Sequence, residues 1–302
     1  LEAAEGVYHI ADCPIREEPL HLIPRGLREE FEGVYGVKIE GDLCPVCRHN
    51  LLEDYDGDYT KVPITTSSFS IRGRRGVGVV PPMDPNTQDS SILIGSEDIS
   101  KLDLYPEDDP RVLSLNGAFN VGNRGIVEFV EVFKNEIEFL HTMITATQEK
   151  SVPSPGKQAM IYFDGVIISH CNEAEWIKFK SEHTNEAILD RIVRVNVPYC
   201  LEYSQEIKIY KKLLKTSDFN CHIAPHTLDL AAMFAVLTRL KPTNKADALT
   251  KMKLYNGEEI IEKGSIKKVD IKDLREEQRD EGMTGISTRF IMIMLLLIQT
   301  KT

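Results

Sequence analysis

Two polar side chains, Glu131 and Asn172, follow apolar stretches of the chain, at positions from which they could act on a bound phosphate. Glu131 lies near the end of the apolar residues 125–132, and Asn172 follows the almost continuously apolar residues 160–169. A carboxylate can orient an attacking water, and a neutral amide can touch a terminal phosphate without adding a titrating group. Because open α/β sheets bind ligands at the carboxyl ends of their strands, we predict that both side chains face one site. The alternatives are a solvated strand edge for Glu131 and a turn into the next helix for Asn172.

Two arginines could supply positive charge where the transition state of phosphoryl transfer becomes more negative. Arg191 ends a predicted helix and precedes a predicted strand, so it could reach into the site of a neighbouring subunit. Arg289 opens the last predicted helix, from which its planar fork could bind a phosphate. The alternatives are an ion pair of Arg191 with Asp190 or Glu186, and an ordinary surface position for Arg289.

The sequence contains no phosphate-binding loop of the form G-x-x-x-x-G-K-[ST], whose backbone N–H groups and lysine would hold the phosphates. It also lacks the hydrolase motifs G-x-S-x-G and H-E-x-x-H. We therefore expect the chain to be a piece of a longer protein.

Cys44 and Cys47 form a single C-x₂-C pair, which supplies two of the four ligands of a structural zinc ion. Cys13 and His49 could complete the set, but no spacing indicates that they do. The alternative is a pair of thiols in a turn, and on this interpretation the sequence predicts no metal site.

The bulk composition limits the class of protein. With 302 residues the chain is long enough for two domains, and its net charge of −11 argues against a general affinity for nucleic acid. The apolar residues 290–298 span about nine positions, roughly half of a bilayer-spanning helix. The six cysteines show no disulfide framework, and the first residues carry no secretory signal. We predict a cytoplasmic protein that binds neither nucleic acid nor membrane.

The pattern of apolar residues changes twice along the chain. Residues 1–100 are predicted to form strands and loops, whereas from residue 124 strands alternate with helices, as in a parallel α/β sheet. In this region residues 160–169 are predicted to form one strand covered on both faces, and residues 192–197 a further strand. We predict a partial α/β core over residues 1–200, with a strand- and loop-rich insertion near 33–82. A truncated, all-helical lid domain is predicted over 201–302.

The chain resembles the PrkA-type bacterial serine protein kinases, whose N-terminal half is an AAA+ ATPase module. The resemblance covers nearly the whole chain to about residue 290. The matching stretches are CPIREEPLHLIP (13–24), GDLCPVCRHNL (41–51), VPPMDPNTQD (80–89), NRGIVEFVEVFK (123–134), MITATQE (143–149), FDGVIISHCNEAEW (163–176), NEAILDRI (185–192), VPYCL (197–201), EIKIYKKLL (206–214) and GMTGISTR (282–289).

This resemblance implies an αβα sandwich of the AAA+ P-loop NTPase type followed by a helical lid. It also implies ATP with Mg²⁺ as cofactors, a homo-oligomeric ring, protein substrates, and a role in stress or sporulation. By position, Glu131 would be the Walker B acid, Asn172 the sensor 1 residue, Arg191 the arginine finger and Arg289 the sensor 2 residue.

The chain departs from the pattern of the resembled family in three places. The aspartate that precedes the Walker B glutamate is replaced by Val130, and Glu128, on the same strand face, is the hypothetical substitute. The phosphate loop is expected before residue 1, and the kinase-like domain after residue 302. We therefore expect this chain to be a fragment of an ATP-dependent serine protein kinase, and we expect the fragment to be inactive alone. The alternative is a non-catalytic AAA+ module that acts as an assembly scaffold or remodeller.

Overall fold

The computed structural model describes residues 6–82, 89–135, 137–157, 159–217, 222–262, 265–266 and 271–299. The chain divides into two compact units, Leu1–Ile192 and Val193–Thr302. The domain boundary predicted at residue 200 thus falls within the second unit.

The first unit combines short strands with helices of very different length. Its strands are β1 (Val7–Ile10), β2 (Ile64–Ser67), β3 (Val77–Val80), β4 (Ser96–Glu97), β5 (Leu113–Ser114), β6 (Ile126–Phe129), β7 (Ser151–Pro153), β8 (Met160–Tyr162) and β9 (Val166–Ser169). Its α-helices are α1 (Arg25–Tyr35), α2 (Pro45–Glu53), α3 (Ser91–Ile94), α4 (Ala118–Val121), α5 (Ile137–Gln148), α6 (Glu173–Ser181) and α7 (Glu186–Leu189).

Three parallel strands form the central sheet of this unit, in the order β3–β6–β9. The register pairs Val80 with Phe129, and Phe129 with Ser169. Side chains alternate along β6, so that Val127 and Phe129 point into the core and are fully buried. The predicted α/β class with a parallel sheet is confirmed, and the carboxyl ends of its strands meet at one edge.

Aromatic rings fill the space beneath the buried face of this sheet. Phe119 of α4 lies 6.0 Å from Phe129 of β6, measured between ring centroids, and 5.2 Å from Phe163 in an edge-to-face arrangement. Leu140 of α5 belongs to the same core and is fully buried. Each fully buried side chain of this size contributes about 1.5–3 kcal/mol. These contacts hold β6, and with it the residues that follow, in a fixed position.

Residues 160–169, predicted as one strand covered on both faces, form two strands. The backbone N–H of Asp164 donates to Asn123 Oδ1 at 3.0 Å, where the chain leaves the β7–β8 hairpin and enters the central sheet. Val166 and Ile168 of β9 are about half exposed. The prediction was wrong because a continuous apolar run does not reveal a change of sheet. The apolar run likewise does not reveal that one face of the sheet is open to solvent in the described part of the structure.

Helices α1 and α2, and the short α3, lie in the region predicted to form strands and loops. Helix α1 carries Leu27, Phe31 and Val34 on one face, but none of its residues is buried in the structure. Gly36 ends the helix in the left-handed conformation at φ 67°. Helix α2 begins with Pro45 at its first turn after the N-cap Cys44. The region 33–82, predicted as an insertion, contains α2 and ends in β3 of the central sheet.

The strand predicted at residues 192–197 does not form. This segment has no regular secondary structure, and Val193, Val195 and Val197 are 89%, 76% and 82% exposed. The alternation of valines with polar residues favours a strand, but a strand needs a partner. Among the described residues none pairs with this segment.

The second unit is built mainly from helices: α8 (Tyr203–Thr216), α9 (Thr227–Arg239), α10 (Ala248–Tyr255), α11 (Ile271–Glu277) and α12 (Thr288–Gln299). Ile207 and Tyr210 of α8 pack with Ala232 and Ala235 of α9. A short antiparallel pair, β10 (Ile261–Glu262) with β11 (Ser265–Ile266), lies between α10 and α11. The all-helical lid is therefore not confirmed.

A buried ion pair joins the first two helices of this unit. Arg239 NH2 donates to Glu206 Oε1 at 2.8 Å, and both side chains are almost completely buried. Arg239 also donates to the carbonyls of Ile286 and Cys200. Satisfying so many donors of one guanidinium offsets the cost of burying its charge.

None of the helices in the described ranges combines the length and apolar composition that crossing a bilayer requires.

The close approach of β3 to α4 gives a test of the packing. A Cβ atom on Gly78 would lie 2.1 Å from the carbonyl oxygen of Ala118, so Gly78→Ala must displace backbone and should lower the free energy of unfolding by about 2 kcal/mol. Gly33→Ala in α1 is the matched control, because nothing lies within 4 Å of its Cβ. There the substitution should stabilise by about 0.5–1 kcal/mol. Urea denaturation measures both, and equal effects would contradict the packing.

Candidate functional site

Glu131 lies two residues after the end of β6, at the carboxyl edge of the central sheet. Its backbone is left-handed, with φ 50° and ψ 52°, a conformation that costs a residue with a Cβ roughly 1–2 kcal/mol. Hydrogen bonds on both sides hold this bend: Val130 N–H donates to the Val80 carbonyl at 2.9 Å, and Val132 N–H to the His170 carbonyl at 3.1 Å. Such a strained position is typical of functional sites.

The carboxylate of Glu131 forms an ion pair with Lys134, one turn further along the chain. Lys134 Nζ also lies 3.8 Å from Glu175 Oε1, on the helix that follows β9. The hydrogen bond that Lys134 donates to the Glu131 carboxylate raises the pKa of Lys134 above its usual value. Lys134 therefore stays charged at neutral pH and keeps a cation beside the acid. The sequence analysis missed this residue, although its i+3 spacing from Glu131 was a signal.

Asn172 caps helix α6. Its Oδ1 accepts a hydrogen bond from the backbone N–H of Glu175 at 2.9 Å, so the structural alternative for this residue is correct. The cap uses only the oxygen of the amide. Within the described part of the chain, its Nδ2 group donates to no neighbour and remains available to an acceptor.

Glu131 and Asn172 lie at the same edge because β6 and β9 are adjacent. Glu131 lies two residues beyond Phe129, and Asn172 lies three residues beyond its register partner Ser169. His170 N–H donates to the Phe129 carbonyl at 3.1 Å, which continues the pairing past the strand ends. The backbone therefore places both residues at the same edge of the sheet, as their predicted common site requires.

Glu128, the predicted substitute for a Walker B aspartate, lies within β6 on its more exposed face. Val79 and Ile168 flank it in register on the neighbouring strands. Its Oε1 lies 3.7 Å from His170 Nε2, a contact that the sequence analysis did not foresee. Glu128 thus points to the open face of the sheet, with His170 beside it.

Arg191 is held by neutral partners. Its guanidinium donates to the Ala187 carbonyl and, at 2.6 Å, to Oε1 of Gln148, the last residue of α5. Arg191 forms no ion pair with Asp190 or Glu186 in the described structure. The alternative that assigned it such a pair was therefore wrong. The side chain is exposed and keeps its positive charge without a carboxylate partner among the described residues.

Arg289 belongs to the second unit, where it lies in the first turn of α12. Ser287 Oγ accepts a hydrogen bond from Phe290 N–H at 3.2 Å, and Thr288 Oγ1 donates to the buried Glu206 at 2.8 Å. These bonds fix the start of the helix and leave Arg289 exposed. Arg289 thus belongs to the second unit, whereas Glu131, Asn172 and Arg191 belong to the first.

The donor set at the sheet edge suits part of a magnesium–nucleotide site. Glu131 at the sheet edge and Glu128 on the open face of β6 each offer carboxylate oxygens, the hard ligands that Mg²⁺ prefers. Asn172 Nδ2 offers a hydrogen-bond donor for a phosphate oxygen. These residues fit the metal-facing and terminal-phosphate side of such a site, and the sequence contains no loop that would hold the remaining phosphates.

A separate cleft of about 280 Å³ lies elsewhere on the first unit, lined in part by Glu18, Arg124, Lys150 and Tyr162. None of the predicted site residues lines it. An open sheet edge, and not this cleft, therefore carries the candidate site.

Comparisons with known protein families cover the whole chain. Residues 1–247 match the family described as PrkA AAA domain, and residues 249–302 match the PrkA serine protein kinase C-terminal domain. The second match corrects the expectation that this C-terminal domain lies wholly after residue 302. Its beginning is included in the region predicted as a lid.

Two curated relatives have different names. The chain is 42% identical over 290 residues to the "ATP-dependent protease PrkA" of Bacillus subtilis (strain 168), which covers 95% of this chain and 45% of that protein. It is 38% identical over 287 residues to the "Serine/threonine kinase YeaG" of Escherichia coli (strain K12), covering 92% and 44%. The chain thus spans less than half the length of these relatives.

Among solved structures, NtrX from Brucella abortus in complex with ATP is similar over 54% of this chain and 36% of its own. The sequence identity is 16% and the TM-score is 0.39. A TM-score this low does not define a shared fold.

The two roles of Asn172 can be separated by substitution. Asn172→Ala removes the cap of α6 and should lower the free energy of unfolding by about 1 kcal/mol. Asn172→Asp retains a capping oxygen and should leave stability within about 0.5 kcal/mol of the parent, while it replaces the amide donor by an anion. Thermal unfolding checks both. Equal destabilisation by the two substitutions would show that the amide donor, too, has a structural partner.

Proposed function

Because the chain belongs to the PrkA family, we propose that it is the AAA ATPase module of an ATP-dependent serine protein kinase. In this proposal ATP binding and hydrolysis are coupled to the phosphorylation of a protein substrate. The observation that carries it is the placement of Glu131 and Asn172 at adjoining carboxyl ends of two parallel strands. Since the chain spans less than half of its relatives, the coupling is a property of the whole protein.

Each residue of the proposed site has a defined task. Glu131 accepts a hydrogen bond from the attacking water and orients it, and Lys134 holds the carboxylate in place before substrate arrives. Asn172 donates from Nδ2 to a terminal phosphate oxygen. Bound Mg²⁺ would neutralise phosphate charge, with Glu131 and Glu128 as its protein ligands.

The exposed Arg191 supports a proposed ring of identical subunits. Its neutral partners, Gln148 and the Ala187 carbonyl, orient the guanidinium without cancelling its charge. Such an arginine can act on the phosphates of a neighbouring subunit, where an arginine finger contributes orders of magnitude in rate. Arg289, exposed at the start of α12, stays a predicted phosphate-binding residue of the second unit.

Proteolysis is the second candidate activity, and the name of the Bacillus subtilis relative favours it. The two activities leave different products, because a kinase adds phosphate to serine whereas a protease cuts the backbone. Incubating the full-length protein with a disordered protein and γ-labelled ATP separates them: labelled intact substrate supports the kinase, and unlabelled fragments support the protease. ATP turnover with neither product supports the scaffold. A role in stress or sporulation stays a prediction of the resemblance.

The first prediction from this proposal concerns Glu131. In the full-length protein, Glu131→Gln should leave ATP affinity within about threefold and lower ATP hydrolysis by at least about 100-fold, because the neutral amide no longer orients water as a base. Glu149→Gln is the matched control, since Glu149 is exposed beyond the end of α5. Phosphate release under saturating ATP measures the rates. Unchanged hydrolysis in Glu131→Gln would overturn the assignment.

A mixing experiment tests whether Arg191 acts across subunits. Arg191→Ala and Glu131→Gln should each be inactive in ATP hydrolysis when pure. Mixed before assembly, they should regain a measurable fraction of parent activity, because an intact Glu131 site can then adjoin an intact Arg191. Mixing either variant with itself at the same total concentration is the control. No recovery in verified mixed assemblies would mean that Arg191 does not act in trans.

A further inference from the structure

Three cysteines and a glutamate from distant parts of the sequence meet at one point of the first unit. The Sγ atoms of Cys13, Cys44 and Cys47 and a carboxylate oxygen of Glu17 all lie within 4.8 Å of one another. Each of the four residues is at most 7% exposed. The three cysteines are free thiols in the structure. The cluster therefore places three soft sulfur donors and one carboxylate oxygen around a single buried position.

The backbone around the cluster orients each sulfur. Glu17 N–H donates to Cys13 Sγ at 3.3 Å, in the turn that follows β1. Cys47 N–H donates to Cys44 Sγ at 3.4 Å, at the start of α2. Hydrogen bonds of this kind stabilise negative charge on sulfur. The turn after β1 and the start of α2 thus each hold a cysteine whose sulfur accepts a backbone hydrogen bond that favours the thiolate, and these sulfurs face the same position.

The glutamate is fixed just as firmly. Its carboxylate accepts hydrogen bonds from Cys44 N–H at 2.9 and 3.0 Å and lies 3.1 Å from His21 Nδ1. His21 Nε2 in turn lies 2.8 Å from the Glu40 carbonyl. A ligand oriented by an outer layer of hydrogen bonds is typical of metal centres. Oε2 of Glu17 has only the bond from Cys44 N–H among the described residues, so it keeps a lone pair for a cation.

We propose that Cys13, Cys44, Cys47 and Glu17 bind one structural zinc ion. Four donors at the usual Zn–S and Zn–O distances lie ~3.5–3.8 Å apart in a tetrahedron, so the observed cluster needs only a small contraction. The four protein ligands fill the coordination shell, which is the arrangement of structural and not catalytic zinc. The proposal is independent of the nucleotide site.

Other occupants fit this cluster less well. Three thiols cannot all pair in disulfides, so an oxidised cluster would leave one buried thiol and the ionisable Glu17 without a cation. The donors are too close together to enclose several iron and sulfide atoms. Three thiolates also disfavour Mg²⁺ and Ca²⁺, which prefer oxygen ligands. A single zinc ion uses all four donors.

The zinc ion would join two parts of the first unit that are separated in the sequence. Cys13 follows β1, whereas Cys44 and Cys47 begin α2, so the ion would tie the N-terminal strand to this helix. Sequence analysis placed Cys13 among the possible ligands but had no signal for Glu17. The position of Glu17 four residues after Cys13 is too common a spacing to be diagnostic.

The first test is the metal content of the chain purified under reducing conditions and dialysed against a weak chelator. We expect about one zinc per chain by elemental mass spectrometry. Cys44→Ser should lose at least about 90% of this zinc, whereas Cys200→Ser, which alters a half-buried cysteine of the second unit, should retain it. Parent protein that contains no zinc and takes up none, or equal zinc in both variants, would overturn the proposal.

A second measurement covers the case in which Cys44→Ser does not fold. Adding Co²⁺ to metal-depleted parent protein should give sulfur-to-cobalt charge-transfer absorption that saturates at one equivalent. Glu17→Gln should weaken zinc affinity by ~10–100-fold, and Glu18→Gln, its neighbour paired with Arg124, should not. Cobalt binding without sulfur absorption, or a disulfide within the cluster in reduced preparations, would exclude the site.

Discussion

The pairing of β6 with a parallel strand on each side is the constraint on which the candidate site depends. The register aligns Val80, Phe129 and Ser169 across the sheet. Backbone bonds then continue beyond the strands on both sides of Glu131. A shift of one residue would turn Phe129 out of the core and every side chain of β6 to the opposite face. The packing of Phe119 and Phe163 therefore also sets where Glu131 lies.

Two arginines illustrate opposite uses of the same charge. Arg239 is buried and directs its guanidinium to Glu206 and two carbonyls, so its charge serves the packing of the second unit. Arg191 is exposed, and its partners among the described residues are the Ala187 carbonyl and the amide of Gln148. A charge that is oriented but not neutralised can stabilise an anion that arrives from outside. The surroundings, and not the residue type, distinguish the structural arginine from the candidate functional one.

The sequence indicated where β6 lies because its apolar stretch is local, and it singled out Glu131 and Asn172 because they follow apolar stretches. It failed where the outcome depends on distant partners. Residues 192–197 alternate like a strand but lack one to pair with in the described chain, and α1 forms without burying a side chain. Lys134 and Glu17 were missed because short spacings alone do not distinguish a functional contact from an ordinary one.

The exposed valines at the start of the second unit affect how copies of the chain can associate. Val193, Val195 and Val197 are exposed on a segment that pairs with no strand of the described residues, so its backbone can accept another strand. A second copy of the chain carries the same segment, and two such segments can pair as β-strands at high protein concentration. Dilute handling, or a lysine introduced at one of the three positions, would keep the protein from associating through this segment.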